Sequence, residues 1–280
     1  MAVEKDAVET AYAKINLALH VRRREADGYH ALETLFAFAA DGDRLTLTDA
    51  PGLAVTGPFA GALAGASDNL VLRAQRGFAD LFGHGGGAGF LLDKRLPVAA
   101  GIGGGSADAG AALRLLCRVY DVDPRDAQLM ALAASLGADV PACFVSLPTR
   151  GVGRGEQLAS VEGVPSGMPL LLVNPMVPLT TGPVFAAWDK IDRGPLAEGD
   201  PLAAALAGRN DLEAPAIGLL PVIGEVLGLL QAQGGTALVR MSGSGATCFA
   251  LFADAAACDA ADRAIGAARP DWWRMATRLK

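Results

Sequence analysis

Residues 96–110 read Leu-Pro-Val-Ala-Ala-Gly-Ile-Gly-Gly-Gly-Ser-Ala-Asp-Ala-Gly, and no other stretch constrains the fold as strongly. Four of the five positions 101–105 are glycine. Glycine lets the backbone enter positive φ and approach a ligand closely. Helical periodicity begins directly after it, so the helix start would aim unpaired N–H groups and a positive dipole end into the loop. That arrangement grips phosphate. No Gly-Lys-Ser/Thr closes the loop as in a Walker A motif, and Ser106 stands where G-x-G-x-x-G needs its last glycine. On these residues alone, a glycine-rich surface turn with Ser106 as a plain N-cap is the competing reading.

The chain before the loop alternates over residues 9–22. Ala13, Ile15, Leu17, Leu19 and Val21 take one face, and Lys14, Asn16, Ala18, His20 and Arg22 the other. This predicts a half-buried strand from which Lys14 and Asn16 project together. Asp27-Gly28 marks a turn, and strands are expected over 32–39 and 44–48 with Asp41-Gly42 turning between them. Residues 52–66 read as Gly/Ala-rich connection. A helix capped by Ser67-Asp68 should run to about residue 82, followed by a short strand over 90–94. The helix after the glycine loop carries Ala109, Ala112, Leu113, Leu116 and Tyr120 on one face. The next should open at Asp123-Pro124 and stop at Gly137, before Ala138-Asp139-Val140-Pro141.

Around 149–155 the texture turns to Gly/Arg, which places a domain junction there and two domains at 1–152 and 153–280. Beyond it come a strand over 170–173 and helices over 181–190 and 212–231, the second broken at Pro221. Strands over 237–241 and 247–252 flank Ser242-Gly243-Ser244-Gly245; a helix over 255–267 and a strand over 273–279 follow. Strand pairs mixed with helices, without a repeating β-α-β unit, favour α+β layering over a doubly wound sheet.

With 280 residues, 51% hydrophobic and 19% charged, a sizeable core is expected and disorder is not. A net charge of -6 argues against nucleic acid or anionic membrane as a general partner. Cys117, Cys143, Cys248 and Cys258 form no C-x-x-C pair and read as reduced core thiols. With an acidic start and no long apolar run, a cytoplasmic protein is expected, monomeric or a weak homodimer. No His/Cys cluster has zinc spacing.

Single elements carry little chemistry alone. Lys14 and Asn16 fit an exposed strand face, Asp139 fits a turn or N-cap, and Ser242–Gly245 fits a tight hairpin. Their order is specific. Ala13-Lys14-Ile15-Asn16-Leu17, then the glycine loop, then Leu136-Gly137-Ala138-Asp139-Val140-Pro141, then Ser242-Gly243-Ser244-Gly245-Ala246-Thr247 resembles the GHMP kinase superfamily. Ala26-Asp27-Gly28-Tyr29-His30, Asp68-Asn69-Leu70 and Asn210-Asp211-Leu212-Glu213 resemble its branch acting on a cytidine-diphosphate-linked methylerythritol. The likeness runs from about residue 11 to 252. Two positions depart from the pattern: Tyr12 replaces a common proline, and Ala107 a second serine.

The resemblance implies a two-domain α+β fold, with an N-terminal domain like the second domain of ribosomal protein S5 and a C-terminal ferredoxin-like sandwich. It implies transfer of the ATP γ-phosphoryl group to the 2-hydroxyl of that acceptor, a step of the non-mevalonate isoprenoid route. Such transfer needs mainly positioning and charge stabilisation. The implied nucleotide site is Pro97, Gly101, Gly103, Gly104, Gly105, Ser106 and Ala107, with Asn69 and Lys94 toward the adenosine. Ser106 would also ligate Mg²⁺. Asp139 would be the general base with Lys14 beside it, and Asn16 would orient the acceptor. Tyr29 and Phe185 would stack on cytosine, His30 would read its edge, and Thr181 would help hold the acceptor. For Phe185 a core role is equally consistent, beside Val184 and Trp188. His20, His84, Asp108 and Asp121 read as surface, turn or capping groups. A sibling kinase acting on mevalonate, homoserine or a sugar, or a non-catalytic nucleotide sensor of the same fold, remains open. A Rossmann oxidoreductase is disfavoured by the glycine spacing.

Overall fold

The computed structural model describes residues 7–63 and 69–280. The chain forms two compact units, one from Met1–Ala13, Asp41–Val98 and Gly103–Ser146, the other from Lys14–Ala40, Ala99–Ile102 and Leu147–Lys280. Strand β1 (Val8–Arg24) pairs with β2 (His30–Thr48), and each contributes one stretch to either unit.

β2 runs unbroken through Asp41-Gly42, where a turn was expected. The reason is a close approach: a Cβ on Gly42 would lie 1.9 Å from the Ala11 carbonyl oxygen. Gly42 therefore admits the neighbouring backbone instead of turning the chain.

In the first unit the end of β2 pairs antiparallel with β4 (Gly89–Asp93), and β3 (Gly52–Thr56) lies parallel beside β4. The expected 52–66 connection thus contains an edge strand and a short 3₁₀ turn, Ala60–Leu63. Helices α1 (Leu70–Phe82), α2 (Gly104–Tyr120), α3 (Ala127–Leu136) and α4 (Val140–Val145) complete the unit. Asn69 caps α1, its Oδ1 accepting from Val71 N at 2.9 Å; the expected cap Ser67-Asp68 lies outside the described residues. α3 starts later than Asp123-Pro124, because Asp126 caps it and Asp123 instead folds back onto Arg125. Phe78, Phe90, Leu92, Leu113, Leu116 and Leu129 are buried here.

In the second unit the start of β2 pairs with β5 (Thr149–Val152), which pairs with β6 (Gln157–Ser160). A separate antiparallel sheet has the order β10 (Trp273–Arg278), β7 (Pro169–Asn174), β9 (Cys248–Phe252), β8 (Thr236–Met241). Helices α5 (Thr181–Ala186), α6 (Pro201–Ala207), α7 (Glu213–Leu219), α8 (Val222–Gln231) and α9 (Ala255–Ala268) accompany it. Leu171, Val173, Val226, Leu230, Ala250, Phe252 and Ile265 pack into one core cluster. The break at Pro221 falls where expected, α5 is shorter than the 181–190 helix, and α6 was not foreseen. Its signal was present: Asp200 caps it at Ala203 N (2.7 Å), with Pro201 opening the first turn.

The expected α+β layering is what the chain adopts. All four cysteines are buried, and none is in a disulfide. Among the described residues no helix is long and apolar enough to cross a membrane.

α4 lies so close to α2 that a Cβ on Gly110 would sit 2.7 Å from the Cys143 carbonyl carbon. Overpacking of this kind costs about 1–3 kcal/mol. Gly110→Ala should lower the denaturant midpoint accordingly, measured by urea unfolding, and an unchanged midpoint would show that the helices can separate freely.

Candidate active site

β1 places Lys14 and Asn16 on one side by its two-residue period, and burial reaches that side too: Lys14 is 3% and Asn16 2% exposed. An exposed strand face is therefore not what these residues form. Lys14 Nζ donates to Asn16 Oδ1 at 2.9 Å, and Asn16 Nδ2 donates to Thr34 Oγ1 at 2.7 Å. Thr34 in turn donates to the Ala18 carbonyl at 2.7 Å. The chain of bonds orients the amide and holds the ammonium. Lys14 also lies over the Phe36 ring, 5.3 Å from its centroid.

The first part of the glycine loop, Ala99–Ile102, is pinned in the same unit. The Ile102 carbonyl accepts from Lys14 N at 3.0 Å, and the Ala100 carbonyl from Thr247 N at 3.1 Å. Ser242 Oγ receives Asn16 N at 3.2 Å and donates to the Gly101 carbonyl at 3.0 Å. Gly101 has φ +76, and a Cβ there would meet Gly245 O at 2.5 Å and Ser242 O at 2.6 Å. The loop joining β8 to β9 is held by Asn210, whose Nδ2 donates to the carbonyls of Met241 and Gly243, both at 2.8 Å. Thr181 and Ser244 share a hydroxyl–hydroxyl bond at 3.0 Å.

Tyr29 is 58% exposed at the tip between β1 and β2, its turn held by Glu25 N donating to Tyr29 O at 2.7 Å. His30 packs its ring 5.0 Å from Phe185, centroid to centroid, and edge-on to Trp188. Burial, followed by the nearby Arg24 charge, lowers the His30 pKa. The neutral imidazole is thereby favoured, with one nitrogen donating and one accepting. Phe185 is partly buried against the core cluster, so both of its expected roles share one position. His20, read as a surface group, is instead 2% exposed, bonded to the Gly194 carbonyl and to Arg209 N.

In the first unit Gly103, at φ +64, is the N-cap of α2 and makes no side-chain cap. Gly104 and Gly105 are already helical, and Ser106 sits half-buried in the first turn rather than capping it. Pro97 and Ala107 are buried beneath. Asp139 occupies the N-cap position of α4, and its side chain makes no cap hydrogen bond there.

Lys94 is where the structure adds most. Its ammonium is buried and donates to Asp43 and Asp108, each at 2.6 Å, instead of reaching outward to a nucleotide. Asp43 also accepts from Arg95 N (2.5 Å) and Leu96 N (2.8 Å), tying down the start of the loop. A Cβ on Gly104 would lie 3.2 Å from Lys94 Nζ, so the triad sits directly under the first turn of α2. Asp108 was read as a surface or capping group; it is 3% exposed, and its Oδ1 has no hydrogen-bond partner. No sequence signal links Asp43 to Lys94, since 51 positions separate them.

The first unit thus carries Asn69, Lys94, Pro97, Gly103, Gly104, Gly105, Ser106, Ala107 and Asp139, and the second Lys14, Asn16, Tyr29, His30, Gly101, Thr181 and Phe185. Among the described residues no group of three His, Cys, Asp or Glu could hold a metal. One hydroxyl with no acidic cluster fits only an ion that keeps its waters and binds chiefly through phosphate, as Mg²⁺ does.

Desolvation, with Asp43 nearby, raises Asp108 to about 7 against the Lys94 charge that opposes it. Between the unfolded value near 3.8 and about 7, the folded state then binds more protons than the unfolded. This group's contribution to stability should fall as pH rises through that window. Urea midpoints at pH 5 and 8 should show a smaller loss in Asp108→Asn than in the parent, and parallel pH profiles would refute the assignment.

A profile described as GHMP kinases N terminal domain matches residues 69–146, and one described as GHMP kinases C terminal matches 190–269. A Rhizorhabdus wittichii protein named 4-diphosphocytidyl-2-C-methyl-D-erythritol kinase is 64% identical, covering 97% of this chain and 94% of its own. A Novosphingobium aromaticivorans protein of the same name is 52% identical, covering 97% and 92%. The crystal structure of a 4-(cytidine 5'-diphospho)-2C-methyl-D-erythritol kinase superposes with a TM-score of 0.80 at 36% identity, covering 98% of this chain and 99% of that one. A homoserine kinase from Cytophaga hutchinsonii matches at TM-score 0.68 and 16% identity, covering 98% and 95%, a likeness of fold alone.

Proposed function

The chain belongs to the GHMP kinase family, and we propose that it transfers the ATP γ-phosphoryl group to the 2-hydroxyl of 4-diphosphocytidyl-2-C-methyl-D-erythritol, the acceptor in its relatives' name, as a step of the non-mevalonate isoprenoid route. The observation that carries this reading is the 64% identity across nearly the whole chain. Two domains, at 1–152 and 153–280, and a cytoplasmic setting complete the proposal.

The chain's own groups divide the work. Backbone N–H groups of Gly103, Gly104, Gly105 and Ser106 at the start of α2 face the nucleotide phosphates, where unpaired donors and the helix dipole favour negative charge. Gly101 and Pro97 shape the loop, Ala107 backs it, and Asn69 fixes the start of α1 on the adenosine side. Lys94 serves from below, as the counter-charge that keeps Asp43 and Asp108 together under the loop. Mg²⁺ would neutralise phosphate charge when bound, with the Ser106 hydroxyl as its protein oxygen.

Asp139 accepts the proton of the attacking 2-hydroxyl, and Lys14 stabilises charge developing on the transferred group. Asn16, whose amide is oriented by Thr34, and Thr181 hold the acceptor's polyol. Tyr29 and Phe185 stack on the cytosine while neutral His30 pairs with its edge. Base stacking on one aromatic contributes roughly 1–3 kcal/mol.

The test is ADP release measured against a panel of acceptors. Turnover of the cytidyl compound with little for mevalonate, homoserine or galactose is expected; turnover of one of those instead would replace this substrate with a sibling's. Asp139→Asn should lower kcat by about 10²–10⁴-fold. Calorimetric ATP affinity should stay unchanged. A variant that keeps most of its rate would remove Asp139 from the base role.

A further inference from the structure

We propose that Arg154, held by Asp27, is a positioning residue that presets the Tyr29 ring as a one-sided stacking surface for the acceptor's pyrimidine, an inference that rests on the cytidyl reading above. The Arg154 guanidinium carbon lies 3.7 Å from the Tyr29 ring centroid. It therefore covers one face of the ring at stacking distance and leaves one face for a planar ligand. Tyr29 would otherwise be an exposed side chain with free rotamers at a hairpin tip. Ordering such a side chain costs free energy at the moment of binding, and a preset ring avoids that cost.

The surroundings make the stack rigid. Asp27 accepts Tyr29 N at 3.1 Å through Oδ1 and pairs with the Arg154 guanidinium through Oδ2. One carboxylate thus fixes both the backbone that carries the ring and the cation that covers it. Arg154 is itself held, its backbone N donating to Glu156 Oε2 at 2.7 Å. The Gly153 carbonyl accepts Leu32 N at 2.7 Å, which ties the 153–156 turn to β2.

Arg154 borders a cleft of about 770 Å³ lined also by Arg22, Arg23, Asp27, Glu33 and Asp192. An anion site is the obvious rival role, and the charges decide against it. Arg22 is paired with Glu33 (2.5 Å) and Asp192 (2.9 Å), and Arg23 with Glu25 (2.9 Å). The described lining holds three arginines and five carboxylates, an excess that repels a diphosphate. Neutralised by Asp27, the guanidinium acts through its planar face. An arginine suits this better than a lysine, because its flat delocalised cation stacks on the ring.

The experiment titrates the full-length protein with cytidine diphosphate and measures steady-state kinetics with the cytidyl acceptor. Arg154→Ala should weaken cytidine diphosphate binding and raise acceptor KM by about three- to tenfold. Both kcat and the KM for ATP should hold, Arg154→Lys should recover part of the loss, and Asp27→Asn should shift acceptor KM the same way. A merely structural role would move kcat, ATP KM and melting temperature together, and that result overturns the proposal. So does cytidine diphosphate binding that survives Arg154→Ala while Tyr29→Ala abolishes it, since the ring would then need no guanidinium. If Tyr29→Ala also leaves that binding intact, Tyr29 is not the stacking surface and the proposal falls, whereas a parent protein that binds no cytidine diphosphate and turns over no cytidyl acceptor would overturn the cytidyl reading itself.

Discussion

The second unit depends on a backbone contact too close for any side chain. Gly101 lies against the Ser242 and Gly245 carbonyls, where a Cβ would intrude to about 2.5 Å. With that approach allowed, Ser242 can bridge Asn16 N and the Gly101 carbonyl, and the Ile102 carbonyl can take Lys14 N. The contact thereby positions a cation, an amide and one end of the glycine loop together. Removing the glycine would not merely strain one turn. It would separate the loop from the strand that carries Lys14, so the glycines here serve backbone-to-backbone packing as much as ligand approach.

The first unit solves a related problem with charge. A helix start that must present bare N–H groups has no side-chain cap, and Gly103 provides none. Support comes from beneath, where Lys94 joins Asp43 and Asp108 in a buried triad. Buried ion pairs contribute little net stability, and breaking one leaves an expensive unpaired charge. Asp43 also fastens the backbone at Arg95 and Leu96, so the triad fixes where the loop begins.

Legibility followed the range of the signal. Local periodicity predicted β1, α2, α9 and the break at Pro221 because side-chain alternation and proline act within a few residues. Asp41-Gly42 misled, since the same dipeptide that turns a hairpin can also admit a neighbouring strand so close that a Cβ would lie 1.9 Å from its carbonyl oxygen. The early helix start assigned to Asp123-Pro124 failed for a similar reason: Asp123 had a nearer partner in Arg125 than the helix it preceded. Asp108 looked like a surface or capping group because charge usually is, and Lys94 was expected toward the adenosine by resemblance; only burial shows both facing inward.

From the sequence alone came the α+β layering, the glycine loop, and the ordered motifs that resemble one kinase superfamily. These follow from residue order and short-range stereochemistry. Tertiary structure alone decided that Lys14 and Asn16 are buried and bonded, that Lys94 faces inward to two carboxylates, and that Arg154 covers Tyr29. Asp43 and Lys94 are 51 positions apart, and Asn16 and Ser242 are 226 apart. Partnerships over such separations are set by how elements pack, which no local pattern encodes.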